Sequence, residues 1–410
     1  MKTSTIIPRA RAVEGLVCVF TIVVCALIIT GCWDSYTYSP GENEPLEIGA
    51  LVSLSGPNGG SGFVHLAVME KAVEDANVEL GLRGQAVRLS FSDTQSDPYA
   101  ASVLMNTNLL RNIRIMIGPY TSAEVDAVGN SIGNSHSLLI SPSSTSLELA
   151  NRNDHIFRLA PNDSHMAEGL VDRIWEHGNR FLALVYRDDP WGNSLAAEME
   201  RTFSALGGTI ISNYRYDSFE ASVVDSILKR VQGDITTFAG GRPLSEVALQ
   251  LSSMGEGSVF LGVAKNNVPL LGNINWYGSD GFVRDQRIFE DAEVAEFAVQ
   301  VGFTSPTYRV EIPNRFRDMI ECIETRTGVT PGAYSLLSYD AIRVAARTLA
   351  LVGPYAAYEE LEGTLAYMME EFHGVSGDID LDAMGDRDGG DYDFYAVRDD
   401  GGVYEWVRVN

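Results

Sequence analysis

The chain has 410 residues, 45% of them hydrophobic, and a formal net charge of −25. That length is too great for one compact core, so two lobes are expected. The acidic balance excludes nucleic acid and anionic surfaces as general partners, although it does not prevent a local positive site. Almost all cations are arginine, and an acidic surface poor in lysine fits a salty habitat, where charge keeps a protein soluble.

Lys2, Arg9 and Arg11 form a basic start, and residues 16–29 form an apolar run. The run is short for a membrane span and right for the core of an export signal. It ends in Ile29-Thr30-Gly31-Cys32, which resembles a bacterial lipobox. Residues 1–31 then read as a lipoprotein signal peptide, with Cys32 as the lipidated residue. The alternative is an uncleaved anchor with a chance cysteine. Multiple acyl chains on Cys32 would hold the protein firmly at a membrane. Residues 32–45 mix Pro, Gly, Ser and acids without periodicity and read as a flexible tether. Cys18, Cys25 and Cys32 lie in or at the end of the signal, which leaves Cys322 alone and no disulfide in the mature chain.

Strand and helix signals then alternate. A buried strand is predicted over 46–54, a glycine-rich loop over 55–62 and a helix over 63–80. The loop lacks both the Walker lysine and the dinucleotide glycine spacing, so it either brings backbone close to a small ligand or simply turns. A strand over 86–93 and a helix opened by Asp97-Pro98 follow. Strands over 115–118 and 138–141 each lead into a polar loop and a helix start. Thr121 with Glu124, and Thr145 with Glu148, carry the capping-box spacing. Two helix N-termini at the carboxyl edge of an open sheet would suit a carboxylate. Mere helix capping explains the same residues.

A strand over 155–159 leads to Pro161-Asn162-Asp163 and a helix carrying Met166, Leu170 and Ile174 on one face. The pattern then restarts. Strands are expected over 181–186, 209–216 and 234–239, and helices over 193–206, 220–231 and 244–254. The last long helices fall over 309–327, 333–351 and 356–372. The chain ends in strands over 393–398 and 403–409 joined by Asp399-Asp400-Gly401-Gly402, a hairpin signal. This βα alternation, occurring twice, predicts an α/β protein of two Rossmann-like lobes with parallel sheets.

Taken in order, several short motifs resemble the type I periplasmic binding proteins, in particular the branched-chain (Leu/Ile/Val) amino-acid binding proteins of ABC transporters. They are Leu54-Ser55-Gly56-Pro57, Asp93-Thr94-Gln95-Ser96-Asp97-Pro98, Ile117-Gly118, Ile140-Ser141-Pro142, Trp191-Gly192, Ser338-Tyr339-Asp340-Ala341, and Gly374-Val375-Ser376-Gly377 with Gly385-Asp386. The resemblance implies two lobes joined by three hinge crossings near Asn162, Thr304 and Gly377. Lobe I would be residues 46–162 and 304–376, and lobe II residues 163–303 and 377–410. It further implies that Ser122 and Thr145 hold a ligand carboxylate, that the Ser143 carbonyl takes an ammonium group, and that Asp280 pairs with that ammonium. Trp191, read as standing in a strand–helix loop, would cover the ligand from lobe II. Three positions depart from the family's pattern. Ser61 stands where a tyrosine closes one wall, Tyr120 where an aliphatic residue is usual, and Arg242 where a tyrosine flanks the ligand. If Arg242 faces the cleft it could hold a second carboxylate; equally, it lies outside.

No metal, cofactor or catalytic constellation emerges. Asp386, Asp388, Asp391 and Asp393 lack the twelfth-position Glu of a calcium loop and read as a solvated turn. The histidines form no zinc pair, and no nucleophile elbow is present. The expected protein is therefore not an enzyme. It is a lipid-anchored, monomeric, extracytoplasmic substrate-binding protein that gives an amino acid or similar zwitterion to a membrane permease, without cofactor or nucleic acid. The alternative is a sensor of the same fold, for an amide, urea or carboxylate, that signals through a partner.

Overall fold

The computed structural model describes residues 45–81, 86–151, 154–239, 243–283 and 285–409. The export signal, Cys32, nearly all of the tether and Arg242 lie outside the described residues.

The first sheet gathers β1 (Leu46–Val52), β2 (Val87–Asp93), β3 (Ile115–Ile117), β4 (Leu138–Ser141) and β5 (Ile156–Pro161). The second gathers β6 (Phe181–Arg187), β7 (Thr209–Tyr216), β8 (Val247–Ser252), β9 (Asn275–Gly278) and β10 (Thr304–Tyr308). A small antiparallel pair, β11 (His373–Gly374) and β12 (Gly377–Asp378), stands apart. Then β13 (Asp386–Arg387) returns to the first sheet, and β14 (Tyr392–Asp400) and β15 (Val403–Val409) close the second. The strand orders are β13-β5-β4-β3-β1-β2 and β15-β14-β10-β9-β8-β6-β7. All pairs are parallel except β10–β14 and β14–β15. This is the expected architecture of two lobes with parallel-rich sheets.

Helices cover both faces, so the inner strands are apolar on both sides. In β3, Ile115 and Ile117 enter one cluster with the helices Gly59–Gly81 and Ala333–Val352, while Met116 enters the other, with the helices Pro98–Leu110 and Ser122–Gly133. In β6, Leu182 and Leu184 point one way, and Ala183 and Val185 the other. Such alternation inside a wholly buried strand is what packs a sheet between two helix layers. The terminal hairpin turns at Gly401 and Gly402, both at positive φ (64° and 94°), which glycine adopts without steric cost. Among the described residues no helix is long and apolar enough to cross a membrane.

Several expectations need correction. The strand expected over 234–239 is the end of the helix Ala221–Ala239, and the helix expected over 244–254 holds β8 after one 3₁₀ turn, Leu244–Glu246. Val224, Ile227, Leu228, Val231 and Ile235 form one buried helical stripe, so Ile235 belongs to the helix despite its β-rich neighbours. β8 is buried at every position, between β6 and β9, and has no alternation to reveal it. The helix expected at Thr145 is absent: only a 3₁₀ turn, Leu147–Leu149, forms, and Ser146 caps it rather than Thr145. The first helix begins at Gly59, which shortens the glycine-rich loop. Trp191 is not in a loop; it is the second residue of the helix Pro190–Ala205, capped by Asp189. The chain passes between the sheets at Asn162, after Tyr308, and between Arg387 and Tyr392, the last two later than the positions Thr304 and Gly377 suggested.

Candidate functional site

Parallel strands end on the same edge, and in an open α/β sheet that edge carries the ligand. Here a cavity of about 510 Å³ is lined by loops from the carboxyl ends of both sheets. The first sheet contributes Asn58 and Ser61 after β1, Tyr120–Ser122 after β3, and Ser143 and Thr145 after β4. The second contributes Trp191 after β6, Met254 and Gly255 after β8, and Asp280 and Asp285–Arg287 after β9. Residues 332–335, at the start of the helix Ala333–Val352, complete the wall. The structure thus brings Ser61, Tyr120, Ser122, Ser143, Thr145, Trp191 and Asp280 to one cavity.

The first wall is rich in donors that its own hydrogen bonds hold in place. Thr121 caps the helix Ser122–Gly133 with Glu124 in a reciprocal box: the Glu124 amide donates to the Thr121 hydroxyl (3.2 Å) and the Thr121 amide to Glu124 (3.0 Å). The loop after β4 is tied to this start. The Ser143 hydroxyl donates to the Tyr120 carbonyl (2.6 Å), the Ser144 hydroxyl to Ser122 Oγ (3.2 Å), and the Ser146 amide lies 3.4 Å from Ser122 Oγ. The same loop reaches the other half of the molecule: Ser146 donates to the Pro190 carbonyl (2.8 Å), and the Leu147 amide to Ser194 (2.9 Å). Behind it, buried Arg158 donates to the Ser146 carbonyl and pairs with buried Asp386. One true helix N-terminus, at Ser122, thus takes the place of the two expected there.

Tyr120 answers the departure at position 61. Its hydroxyl hydrogen-bonds Ser61, and its ring meets the buried His65 edge-on at 4.7 Å. An aromatic from the loop after β3 closes the wall where the start of the helix after β1 offers only a serine. Burial pushes the Tyr120 hydroxyl up to about 12, so it stays protonated as a donor. Burial also drives His65 down to about 3; the ring is neutral and bonds Ser338 at 2.9 Å.

The second wall is different. Asp280 receives the Tyr334 hydroxyl and is paired with no Lys, Arg or His among the described residues. Burial holds its carboxyl above the ordinary carboxylate range, against hydrogen bonds that lower it. A buried carboxylate in a cavity, with no described cation paired to it, is an acceptor for a positively charged ligand group. Further back, Asp163 starts the helix after the first passage between sheets. It is fully buried, neither oxygen has a well-formed partner, and burial lifts it to about 7.

Sequence reasoning missed Asp285, Arg287, Met254 and Tyr334. It named Arg242 as a possible cleft arginine, from its position in the family resemblance, with a place outside the cleft as the alternative. The available signal was the cluster of charges Asp280, Asp285 and Arg287, which follows β9 at the ligand-binding edge. The C-terminal acids expected to form a solvated turn mostly pair with arginines instead: buried Asp386 with Arg158, Asp391 with Arg309, and Asp393 with Arg309 and Arg408.

Residues 65–400 match the family described as the receptor family ligand binding region. An uncharacterized protein of Methanocaldococcus jannaschii is 26% identical, over 93% of this chain and 94% of its own length. A Leu/Ile/Val-binding protein homolog of Brucella melitensis is 22% identical, over 83% and 86%. The crystal structure of LivJ, the branched-chain amino-acid transporter substrate-binding protein of Streptococcus pneumoniae, in complex with isoleucine, superposes with a TM-score of 0.67 at 17% identity, covering 89% of this chain and all of LivJ. The chain belongs to the receptor ligand-binding-region family and has the type I periplasmic binding protein fold of the Leu/Ile/Val-binding proteins.

Proposed function

We propose that this protein is the lipid-anchored substrate-binding component of an ABC transporter and takes an amino acid in the cavity between its lobes. The observation that carries the reading is the pairing of opposites in one cavity: the donor-rich corner at Ser122, Ser143 and Thr145 on one wall, and uncompensated Asp280 on the other. A zwitterion satisfies both at once. Its carboxylate takes the donors at the helix start, and its ammonium replaces the missing cation beside Asp280. Trp191 and Tyr120 supply aromatic surface for the rest of the ligand. The similar Leu/Ile/Val-binding proteins agree with this choice of ligand class.

The ligand then favours the closed arrangement of two lobes that hinge where the chain passes between sheets. We take lobe I as the first sheet with the helices from Arg317 to Glu370, and lobe II as the second sheet with its helices. The closed form, held outside the cell membrane by acyl chains on Cys32, would be what a permease accepts. Titration calorimetry of the purified protein with the common amino acids tests the ligand. Binding at micromolar dissociation constants or tighter is the expected result, and no binding by any amino acid sinks the reading. Mass spectrometry of the N-terminal peptide tests the anchor separately, since an unmodified Cys32 removes it.

A further inference from the structure

The helix Pro98–Leu110 covers one side of the first sheet, beside the helix Ser122–Gly133. Its inner side is buried: Ala101 and Met105 share a cluster with Leu51 and Met116 of the sheet. Its outer side is a straight stripe in water. Tyr99 is 80% exposed, Val103 48% and Leu110 89%, with exposed Asn106 between the last two. The steps along this stripe are four, three and four residues. At 3.6 residues per turn they keep all four side chains on one narrow face. This is the spacing of a seam along which one helix packs on another. A surface helix ordinarily turns charge to water. Here 21% of the chain is charged, with a net −25, yet no residue from 98 to 110 carries a charge. The charges stand at the two ends. Asp97 caps the start, and Arg111 follows the last turn, where it and Arg88 both pair with Glu47. One end is acidic and the other basic.

We propose that this face is where a second copy of the chain docks, giving a two-fold dimer in which the helices Pro98–Leu110 pair seam to seam. Two copies of so acidic a chain repel each other over most of their surface, and an uncharged face removes that repulsion at the contact. The stripe also complements itself. A two-fold axis between Val103 and Asn106 makes the helices antiparallel, as an isologous contact requires. Tyr99 then faces the partner subunit's Leu110, and Val103 faces the partner subunit's Asn106. Asp97 comes to the partner subunit's Arg111, so the acidic end meets the basic end and fixes the register. The expected monomer would leave the whole seam in water. A helix about 20 Å long makes a small contact, so the dimer is weak and depends on concentration. No residue of this helix lines the cavity, so pairing leaves the ligand site open.

Sedimentation equilibrium of the full-length protein in density-matched detergent tests this. The mass should climb from monomer toward dimer between about 10 μM and about 1 mM, the range of a small interface. Leu110→Glu and Val103→Glu each place a charge on the seam and should weaken association at least about tenfold. Both side chains are exposed in the single chain, so the melting temperature should stay close to that of the unaltered protein. Leu351→Glu changes an exposed leucine at the end of a helix on the opposite side of the same sheet, and should leave association unaltered. Added sodium chloride should tighten the dimer, because it screens the repulsion between two acidic chains. A monomer throughout the range overturns the inference. So does a dimer that Leu110→Glu and Val103→Glu leave intact, one that Leu351→Glu weakens as much, or one that salt dissociates. None of these outcomes bears on the amino-acid reading, which calorimetry tests separately.

Discussion

The two walls of the cavity spend their polar groups in opposite ways. On the lobe I side every acid near the cavity is saturated from its own loops. Glu124, fully buried, takes the hydroxyls of Ser53, Thr94 and Thr121 and the Thr121 amide. Asp93 takes the amides of Leu54, Ser55 and Gln95 and the Ser55 hydroxyl, which hold it below the usual carboxylate range. On the lobe II side Asp280 takes the Tyr334 hydroxyl, from the other half of the molecule, and backbone amides at Asp280 and Gly281, with no cation paired to it among the described residues, and Asp285 keeps one oxygen without a partner. The first wall is finished before any ligand arrives and presents donors. The second wall is unfinished and presents acceptors and charge. That asymmetry fits a ligand docking on lobe I and drawing lobe II over it.

The largest expected effect comes from removing what supports the finished wall. Arg158 and Asp386 are a buried pair, 1% and 3% exposed, and Arg158 also holds the Ser146 carbonyl. Asp386→Ala leaves a buried guanidinium uncompensated and should cost about 3–5 kcal/mol of stability. Urea denaturation measures it, and a loss below about 1 kcal/mol would mean that the corner stands without the pair. Next is the unfinished wall. Asp280→Asn should weaken a zwitterionic ligand by about 2–5 kcal/mol while leaving the fold intact. It should also flatten the pH dependence. Burial raises the Asp280 carboxyl, so the unaltered protein should lose affinity as pH falls into and below that raised range, where the carboxylate takes a proton. Calorimetry across pH decides it; equal affinity in the two proteins takes Asp280 out of the site.

Where local chemistry decides the structure, the sequence could be read. Asp97 caps the helix Pro98–Leu110 through two amides, Thr121 and Glu124 form their box, and Asn162 caps the helix Asp163–Glu176. Five of the family-like motifs are contacts of this kind: Asp93 ties the β1 and β2 loops together, Asp189 caps the helix that carries Trp191 and Gly192, and Asp340 binds the amides of Val375 and Ser376 at 2.8 and 2.9 Å. Where burial decides, the reading failed. Asp234 to Ala239 has the composition of a strand, yet Ile235 completes a stripe that begins at Val224. β8 has no period because both its faces are covered. Thr145 has the spacing of a cap, but its carbonyl accepts the Asp163 amide (2.8 Å), and Ser146 caps a 3₁₀ turn instead. Arg287 could not be found from spacing, because its place depends on Gly255, 32 positions earlier, on a different loop.

Asp163 tests whether the boundary between the walls is itself under strain. Its carboxyl is lifted to about 7 by burial, against an ordinary value of about 4 when unfolded. Between those values the folded protein holds a proton that the unfolded chain has lost. Stability is therefore fullest below about pH 4 and declines as pH rises toward 7, after which the loss is complete. Asp163→Asn cannot ionise and escapes the penalty. The variant should match the unaltered protein near pH 4 and exceed it by up to about 4 kcal/mol at pH 8, in ligand-free denaturation at both pH values. A gain at pH 4 as large as at pH 8 would place the effect in packing rather than ionisation.

The smallest effect separates a scaffold donor from a ligand donor on the finished wall. Thr121 accepts the Glu124 amide and donates to Glu124 through its hydroxyl (2.8 Å), so Thr121→Ala should cost about 1 kcal/mol of stability as a lost cap. Ser122 sits one residue on, at the first turn, with its hydroxyl already engaged by Ser144. If the wall is truly finished without ligand, Thr121→Ala should lower the denaturation midpoint and leave ligand affinity within about twofold, since a cap substitution acts on the helix rather than on the ligand. Ser122→Ala should do the reverse, weakening the ligand at least about fivefold with little change in midpoint. If both variants lose affinity equally, the helix start is not rigid, and lobe I is shaped by the ligand as much as lobe II.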